Sequence, residues 1–237
     1  MAYAALAYLG FLAAVVWSIA FLANVGVWPS LDHGQRASTG VALAIDLMLL
    51  GAFAAHHSVM ARPAAKAVLT RMLPRAAERS TYVLAADLLL GLVLWQWRPI
   101  HGTLWNLTMQ PWRDVVWVLY LGGWAVAIAS TFMLDHLDLV GLRQAVSRDY
   151  QPPSFQARWL YAFVRHPLMT GLLLAFWITP TMTVGHLVFA GASSAYIFVG
   201  IHFEERDLGR DLGQEYLDYA RQTPAVMPRL RSLLRWS

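Results

Sequence analysis

Two charged clusters interrupt the apolar C-terminal half of the chain: Arg165 and His166 set against Pro167, and Glu204 beside Glu205. An arginine presents a planar fork that suits a carboxylate, and a glutamate accepts from an ammonium group. A small ligand held between the clusters would carry both signs, as an amino-acid zwitterion does. Tyr161, Tyr216 and Tyr219 stand near them in sequence and offer aromatic faces to a flat base or a sulfonium cation. S-adenosylmethionine has all of those groups. The same residues have a plainer reading, in which Arg-His anchors a helix at a membrane interface and Glu-Glu-Arg is a solvated salt-bridge face. The residues alone leave both readings open.

For the clusters to meet, the chain between them must return to the side it left. From Leu168 to Ile201 there is no acid, lysine or arginine, and His186 is the one histidine. As one straight helix this stretch would run about 50 Å at about 1.5 Å per residue, well beyond a hydrocarbon core of about 30 Å. The segment "TPTMTVG" marks a reversal: Pro180 removes a backbone donor and disfavours helix at Thr179, while Thr181, Thr183 and Gly185 favour a turn. A helical hairpin with both ends on one side follows. The segment 201–222 reads as an amphipathic tail helix ended by Pro224, with Glu204 and Leu208 at i and i+4 and Tyr216 and Tyr219 at i and i+3.

Composition places these elements in a membrane. The chain of 237 residues is 58% hydrophobic and 14% charged, and it holds 11 tryptophans. Tyr3 to Trp28 and Val115 to Leu134 are uncharged and long enough to span; Val41 to Met60 and Ser80 to Trp97 qualify with one acid each, Asp46 and Asp87. The N-terminal stretch lacks a basic leader region and reads as a retained helix rather than a signal peptide. The expected architecture is all-α and integral to the membrane: four transmembrane helices, the C-terminal hairpin and a cytoplasmic tail helix, in a single domain over residues 1–237 with its ligand-binding part at about 135–230. The net charge of +4 is no nucleic-acid footprint, because the basic residues fall between the spans, with Arg62, Lys66, Arg71, Arg75 and Arg79 in one block. By the positive-inside rule the basic segments and the N-terminus are cytoplasmic. With no cysteine in the chain, disulfides, thiolate metal sites and a cysteine nucleophile are excluded.

"RHP" with a glycine four residues on, a long apolar stretch, "EExxL", two tyrosines and a Pro224-x-x-x-Pro228 ending together resemble the C-terminal half of the isoprenylcysteine carboxyl methyltransferase and phospholipid methyltransferase superfamily. The resemblance implies an integral-membrane enzyme with a cytoplasmic S-adenosylmethionine pocket formed by Tyr161, Arg165, His166, Pro167, Gly171, Glu204, Glu205, Tyr216 and Tyr219. The sequence departs at Met169, where that superfamily usually has tyrosine. Upstream, "HSVMARP" (57–63), "ERSTYVL" (78–84), "WQWRPI" (95–100), "DLVGLRQ" (138–144) and "TPTMTVGH" (179–186) are similar, in their order and spacing, to the methanethiol S-methyltransferase family. That narrower resemblance implies methyl transfer to a small volatile thiol, giving dimethyl sulfide and S-adenosylhomocysteine, in the bacterial inner membrane with the active site facing the cytoplasm.

Such a transfer needs an attacking thiolate, hence a base or cations that stabilise it, and alignment in a dry pocket; it needs no metal. The ionisable residues at the expected cytoplasmic ends of the spans are His57, Arg79, Tyr82, Asp135, His136, Asp138 and Arg143. His57 is the preferred base, Tyr82 and Asp138 its helpers, and Arg143 a cationic stabiliser. Each has a structural alternative: His56 and His57 as an interfacial pair, Tyr82 as belt aromatic, Asp138 and Arg143 as a cap or ion pair. Asp46 and Asp87 read best as a hydrogen-bonded helix-packing pair, His186 as structural, and the tryptophans as interfacial belt and packing. Other acceptors remain open on the same fold, namely a prenylcysteine carboxylate, a phospholipid amine or another small thiol. Outside that chemistry stand a haem or quinone protein and a non-catalytic scaffold.

Overall fold

The computed structural model describes residues 1–133, 135–146 and 158–228. These are helical over most of their length, and their contacts fall into two compact units.

The first unit comprises Met1–Asn106, Asp135–Pro152 and Thr181–Ala192. It opens with α1 (Ala2–Ala23), an uncharged helix that stops at Asn24 in the left-handed conformation (φ 56°). There the Asn24 side chain donates to Asp32 and accepts from Ser30, tying down the loop that follows. Next come α2 (Thr39–Met60), the short α3 (Pro63–Met72) and α4 (Arg75–Gln96). Pro63 and Pro74 separate the three, since neither supplies the N–H that a continuing helix needs. α4 packs against α1 and α2. Two short helices, α6 (His136–Leu139) and α7 (Leu142–Val146), follow later in the chain, and α7 packs on α4. β1 (Thr103–Asn106) and β2 (Thr181–Thr183) form an antiparallel pair, so the expected all-α pattern carries one small sheet.

The second unit comprises Leu107–Leu134, Pro153–Pro180 and Ser193–Ser237. α5 (Trp112–Met133) lies along α8 (Pro167–Trp177), and the two approach closely at small residues. A Cβ added to Gly171 would fall 2.5 Å from the Gly123 carbonyl oxygen, and one added to Gly123 would fall 2.8 Å from the Ala175 nitrogen. Gly123 and Ala127 on one helix and Gly171 and Ala175 on the other form the small-xxx-small pairing that lets membrane helices meet backbone to backbone. α9 (Val184–Asp211) begins in the first unit's last segment and continues into the second, and α10 (Gln214–Gln222) follows Gly213, whose φ of +60° suits glycine.

Among the described residues, four helices are long and apolar enough to cross a membrane: α1, α2, α5 and α9. The chain is an integral membrane protein. Three of these match the expected spans. The fourth expected span lies in α4, which has the length, but Arg75, Glu78, Arg79 and Asp87 dilute its apolar character. The helical break falls where Pro180 placed it, yet α8 before it is 11 residues long, roughly 17 Å and about half of a hydrocarbon core. The expected tail helix over 201–222 is split: α9 runs on to Asp211, and α10 follows as a separate helix.

Asp46 and Asp87 do not form the expected pair. Asp46 is fully buried and accepts the Arg98 backbone N–H at 2.9 Å, beyond the end of α4. Asp87 lies against α1, where a Cβ on Gly10 would come 3.2 Å from its carboxylate oxygen.

Candidate functional site

In the second unit, the start of α8, the C-terminal part of α9, α10 and the tail to residue 228 converge on Arg165. Its Nε donates to Glu205 Oε1 at 2.8 Å and Nη2 to the same oxygen at 2.5 Å. Nη1 donates to the Ala220 carbonyl at 2.8 Å and also to the Thr223 carbonyl. The backbone repeats the pattern, with Arg165 N–H on the Pro224 carbonyl at 2.9 Å and His166 N–H on the Ala225 carbonyl at 3.0 Å. Thr170 donates to the Val226 carbonyl at 2.8 Å. Arg165 thus clamps the chain after α10 onto the start of α8. Beyond Gln222 the chain is non-helical, which leaves the Thr223 carbonyl open to the arginine side chain and the Pro224 and Ala225 carbonyls open to the backbone N–H groups of Arg165 and His166.

His166 is buried, with Nε2 3.1 Å from Glu205 and Nδ1 3.5 Å from Glu204. The two glutamates differ. The Glu205 side chain is 27% exposed and serves both Arg165 and His166, whereas that of Glu204 is 53% exposed and, among the described residues, has only the longer His166 contact. Pro167 is buried at the first turn of α8. Gly171 faces α5, so its lack of a side chain answers to helix packing. Tyr219 donates to the Tyr161 carbonyl at 2.6 Å and meets Tyr216 edge to face, ring centres 6.1 Å apart. Burial raises the proton affinity of all three phenols: Glu204 adds to the effect at Tyr161, Glu205 at Tyr216, and Tyr219 is pushed up to about 12. They stay neutral and offer rings and hydroxyls, not charge.

In the first unit, His57 on α2 and Tyr82 on α4 meet. The Tyr82 hydroxyl is 2.9 Å from His57 Nε2 and 3.0 Å from Nδ1. Phe53, one turn before, stacks on the imidazole at 5.6 Å and 28°. The Arg79 guanidinium sits over the Tyr82 ring at 5.3 Å, a cation-π contact, while its Nε donates to the Leu139 carbonyl at 3.0 Å. The Arg79 N–H reaches Gln144 at 3.2 Å. This explains two of the sequence blocks, since "ERSTYVL" and "DLVGLRQ" touch. Gly141 (φ +81°) allows the contact; a Cβ there would lie 2.8 Å from Ser80 N and Oγ.

Asp138 and Arg143 do not pair with one another. Arg143 forms its ion pair with Asp135, whose carboxylate also caps α6 by accepting the Asp138 N–H at 3.2 Å. Arg143 is 56% exposed, so its charge is largely in solvent. His136 is buried against α1, its Nε2 3.1 Å from the Tyr8 hydroxyl.

Sequence reasoning singled out His57, Tyr82 and the Arg-His/Glu-Glu corner, and the structure brings each set together. It did not assign Arg79, Phe53 or Thr170. Arg79 and Tyr82 at i and i+3, and Phe53 and His57 at i and i+4, share helix faces, and that spacing was the available signal.

Taken together, the membrane helices and the two polar clusters define a helical membrane protein with chemistry-bearing residues at helix ends. The sequence model described as NnrU protein matches residues 45–232, and the chain belongs to this family. Its relatives include methanethiol S-methyltransferase of Mycobacterium tuberculosis, 45% identical over 95% of this chain and 94% of that protein. Methanethiol S-methyltransferase 2 of Bradyrhizobium diazoefficiens is 46% identical over 96% of this chain and 89% of that protein. Nurim of Mus musculus is 30% identical over 76% of this chain and 75% of its own. No solved structure matches the chain.

Proposed function

We propose that this chain is a membrane-embedded methanethiol S-methyltransferase that converts methanethiol to dimethyl sulfide with S-adenosylmethionine as donor. The observation that carries the reading is its likeness, across nearly its whole length, to proteins of that name. It acts in the bacterial inner membrane, with its basic segments and active site on the cytoplasmic side.

The residues of the Arg165 corner fit a donor with an amino-acid end in one respect and not in another. Glu204, half exposed and lightly engaged, suits an ammonium group. Arg165 has its donors occupied by Glu205, Ala220 and Thr223, so it positions the corner and does not grip a ligand carboxylate. His166 orients the two glutamates, Tyr161, Tyr216 and Tyr219 supply aromatic faces, and Pro167 and Gly171 seat α8. When bound, S-adenosylmethionine supplies a methyl group on an electrophilic sulfonium.

His57 takes the thiol proton onto its imidazole, leaving a thiolate as the attacking group. Tyr82 fixes the ring through its hydroxyl, and Arg79 over the Tyr82 ring provides a positive field that favours the thiolate. Asp138 supports α6 from its first turn, and Arg143 adds a solvent-side positive charge that Asp135 partly neutralises.

The test is methyl transfer by the detergent-purified chain with methanethiol as acceptor and headspace detection of dimethyl sulfide, beside Glu204→Ala and His57→Ala. Turnover by the wild type, weakened donor binding in Glu204→Ala, and loss of turnover with donor binding intact in His57→Ala are expected. Donor binding without turnover on methanethiol redirects the reading to lipid or carboxylate acceptors. Absence of donor binding overturns it.

A further inference from the structure

Between α2 and α4 the chain forms α3, ten residues from Pro63 to Met72 whose two sides differ in kind. At helical spacing, Lys66, Thr70 and Arg71 share one side and Ala65, Val68, Leu69 and Met72 the other. The apolar side is covered only in part: Ala65 and Leu69 are half-buried, but Val68 is 57% and Met72 78% exposed. Lys66 and Arg71 make no ion pair with another described residue, and Glu78, the one acid between Met60 and Ser80, accepts from Gln144 at 3.4 Å.

Position decides what such a helix can meet. α2 is long and apolar enough to cross the membrane and ends at Met60, and only Ala61 and Arg62 separate it from α3. At no more than about 3.6 Å per residue the chain cannot carry α3 far from the end of that span. A short helix with one apolar face, one basic face and a tether to a membrane span lies in the interface, with its apolar side at the acyl boundary. Its uncompensated cations then face lipid phosphate. We propose that α3 is an in-plane interfacial helix that binds anionic phospholipid, with Val68 and Met72 entering the acyl boundary and Lys66 and Arg71 holding the headgroup. The proposal does not depend on the methyl-transfer reading, nor on which face of the membrane carries α3.

The chain has no cysteine, so a single Met72→Cys accepts an environment-sensitive fluorophore without background. The full chain carrying it is reconstituted in nanodiscs of phosphatidylcholine, alone or with phosphatidylglycerol, with bromine at shallow or deep acyl positions. The expected result is a blue-shifted emission quenched most by shallow bromines. In a second arm, native mass spectrometry of unlabelled protein counts phosphatidylglycerol retained against phosphatidylcholine. Lys66→Gln combined with Arg71→Gln reduces that preference by roughly tenfold at low salt, with the thermal unfolding temperature unchanged because neither side chain is buried. A probe at 72 that reports water, or one shielded from both water and bromine as a protein partner would leave it, overturns the interfacial placement. An unchanged lipid preference in the double variant overturns the headgroup site.

Discussion

At Arg165 a single side chain holds three parts of the chain: the start of α8, the Glu205 turn of α9 and the carbonyls at the end of α10, Ala220 in its last turn and Thr223 just after it. The neighbouring glutamates therefore do different work, and substitution separates them. Glu205→Gln removes the charge that faces Arg165, which is only 13% exposed. Breaking a fully buried pair costs about 3–5 kcal/mol, and this partly buried one should lose somewhat less, seen as a lower unfolding temperature. Glu204→Gln leaves stability within about 0.5 kcal/mol, as exposed substitutions do, but weakens donor binding by roughly 10- to 100-fold, the worth of a charge-assisted hydrogen bond. Thermal unfolding and donor titration on both variants check the contrast; equal destabilisation would mean that Glu204 is structural as well. At the other cluster, His57→Gln should lower kcat about 10²- to 10⁴-fold with donor affinity unchanged. Single-turnover kinetics at saturating donor measure it. Arginine and the glutamates were legible as a cluster because their types are scarce in an apolar chain. That Arg165 spends its donors on Ala220 and Thr223 was not legible, because every residue has a carbonyl and only the fold selects two of them.

Among the helices, the contact of α5 with α8 rests on glycine. A methyl group on Gly171 would meet the Gly123 oxygen at 2.5 Å and the Ala127 Cα at 2.8 Å, both backbone and unable to swing aside. Gly171→Ala should destabilise the protein by about 1–3 kcal/mol. Gly51→Ala is the control: it is also helical, its Cβ meets nothing within 4 Å, and it gains up to about 1 kcal/mol of helix propensity. Unfolding temperatures in one detergent should move in opposite directions. Asp46 makes a second test. Asp46→Asn keeps an acceptor for the Arg98 N–H, while Asp46→Leu leaves it unmet at a cost of about 1–3 kcal/mol. The spans α1, α2 and α5 and the break at Pro180 were readable from hydropathy and proline, both local properties. The pairing of Arg143 with Asp135 instead of Asp138 was not, because both acids stand within reach in sequence and only the fold, with Asp135 at the N-cap of α6, selects one of them. The roles of Gly141 and Gly171 were equally hidden, since a close approach involves a partner distant in sequence.

For the molecule as a whole, burial of titratable groups sets a pH range outside which folding weakens. His136 is 7% exposed, bonded to Tyr8 and edged by Phe11 at 6.0 Å, and burial holds its proton affinity below the ordinary 6.5. The unfolded chain takes up a proton near 6.5 and the folded chain resists it, so the unfolded state binds more protons below that pH and stability falls as the solution is acidified. At the alkaline end Tyr219 keeps its proton to about 12 against an ordinary 10, so the unfolded chain releases a proton first and stability falls as pH rises above 10. Tyr161 and Tyr216 are raised as well and act in the same direction. The unfolding temperature of the full chain, measured from pH 5 to 11, should be level between these limits and decline on both sides. His136→Gln should flatten the decline between pH 6.5 and 5 and leave the alkaline limb in place, and Tyr219→Phe should make the alkaline limb shallower, since Tyr161 and Tyr216 still contribute to it, and leave the acid limb in place. An acid limb unchanged by His136→Gln would assign it to another buried titratable group, and would mean that the contact of α6 with α1 tolerates a charged imidazole.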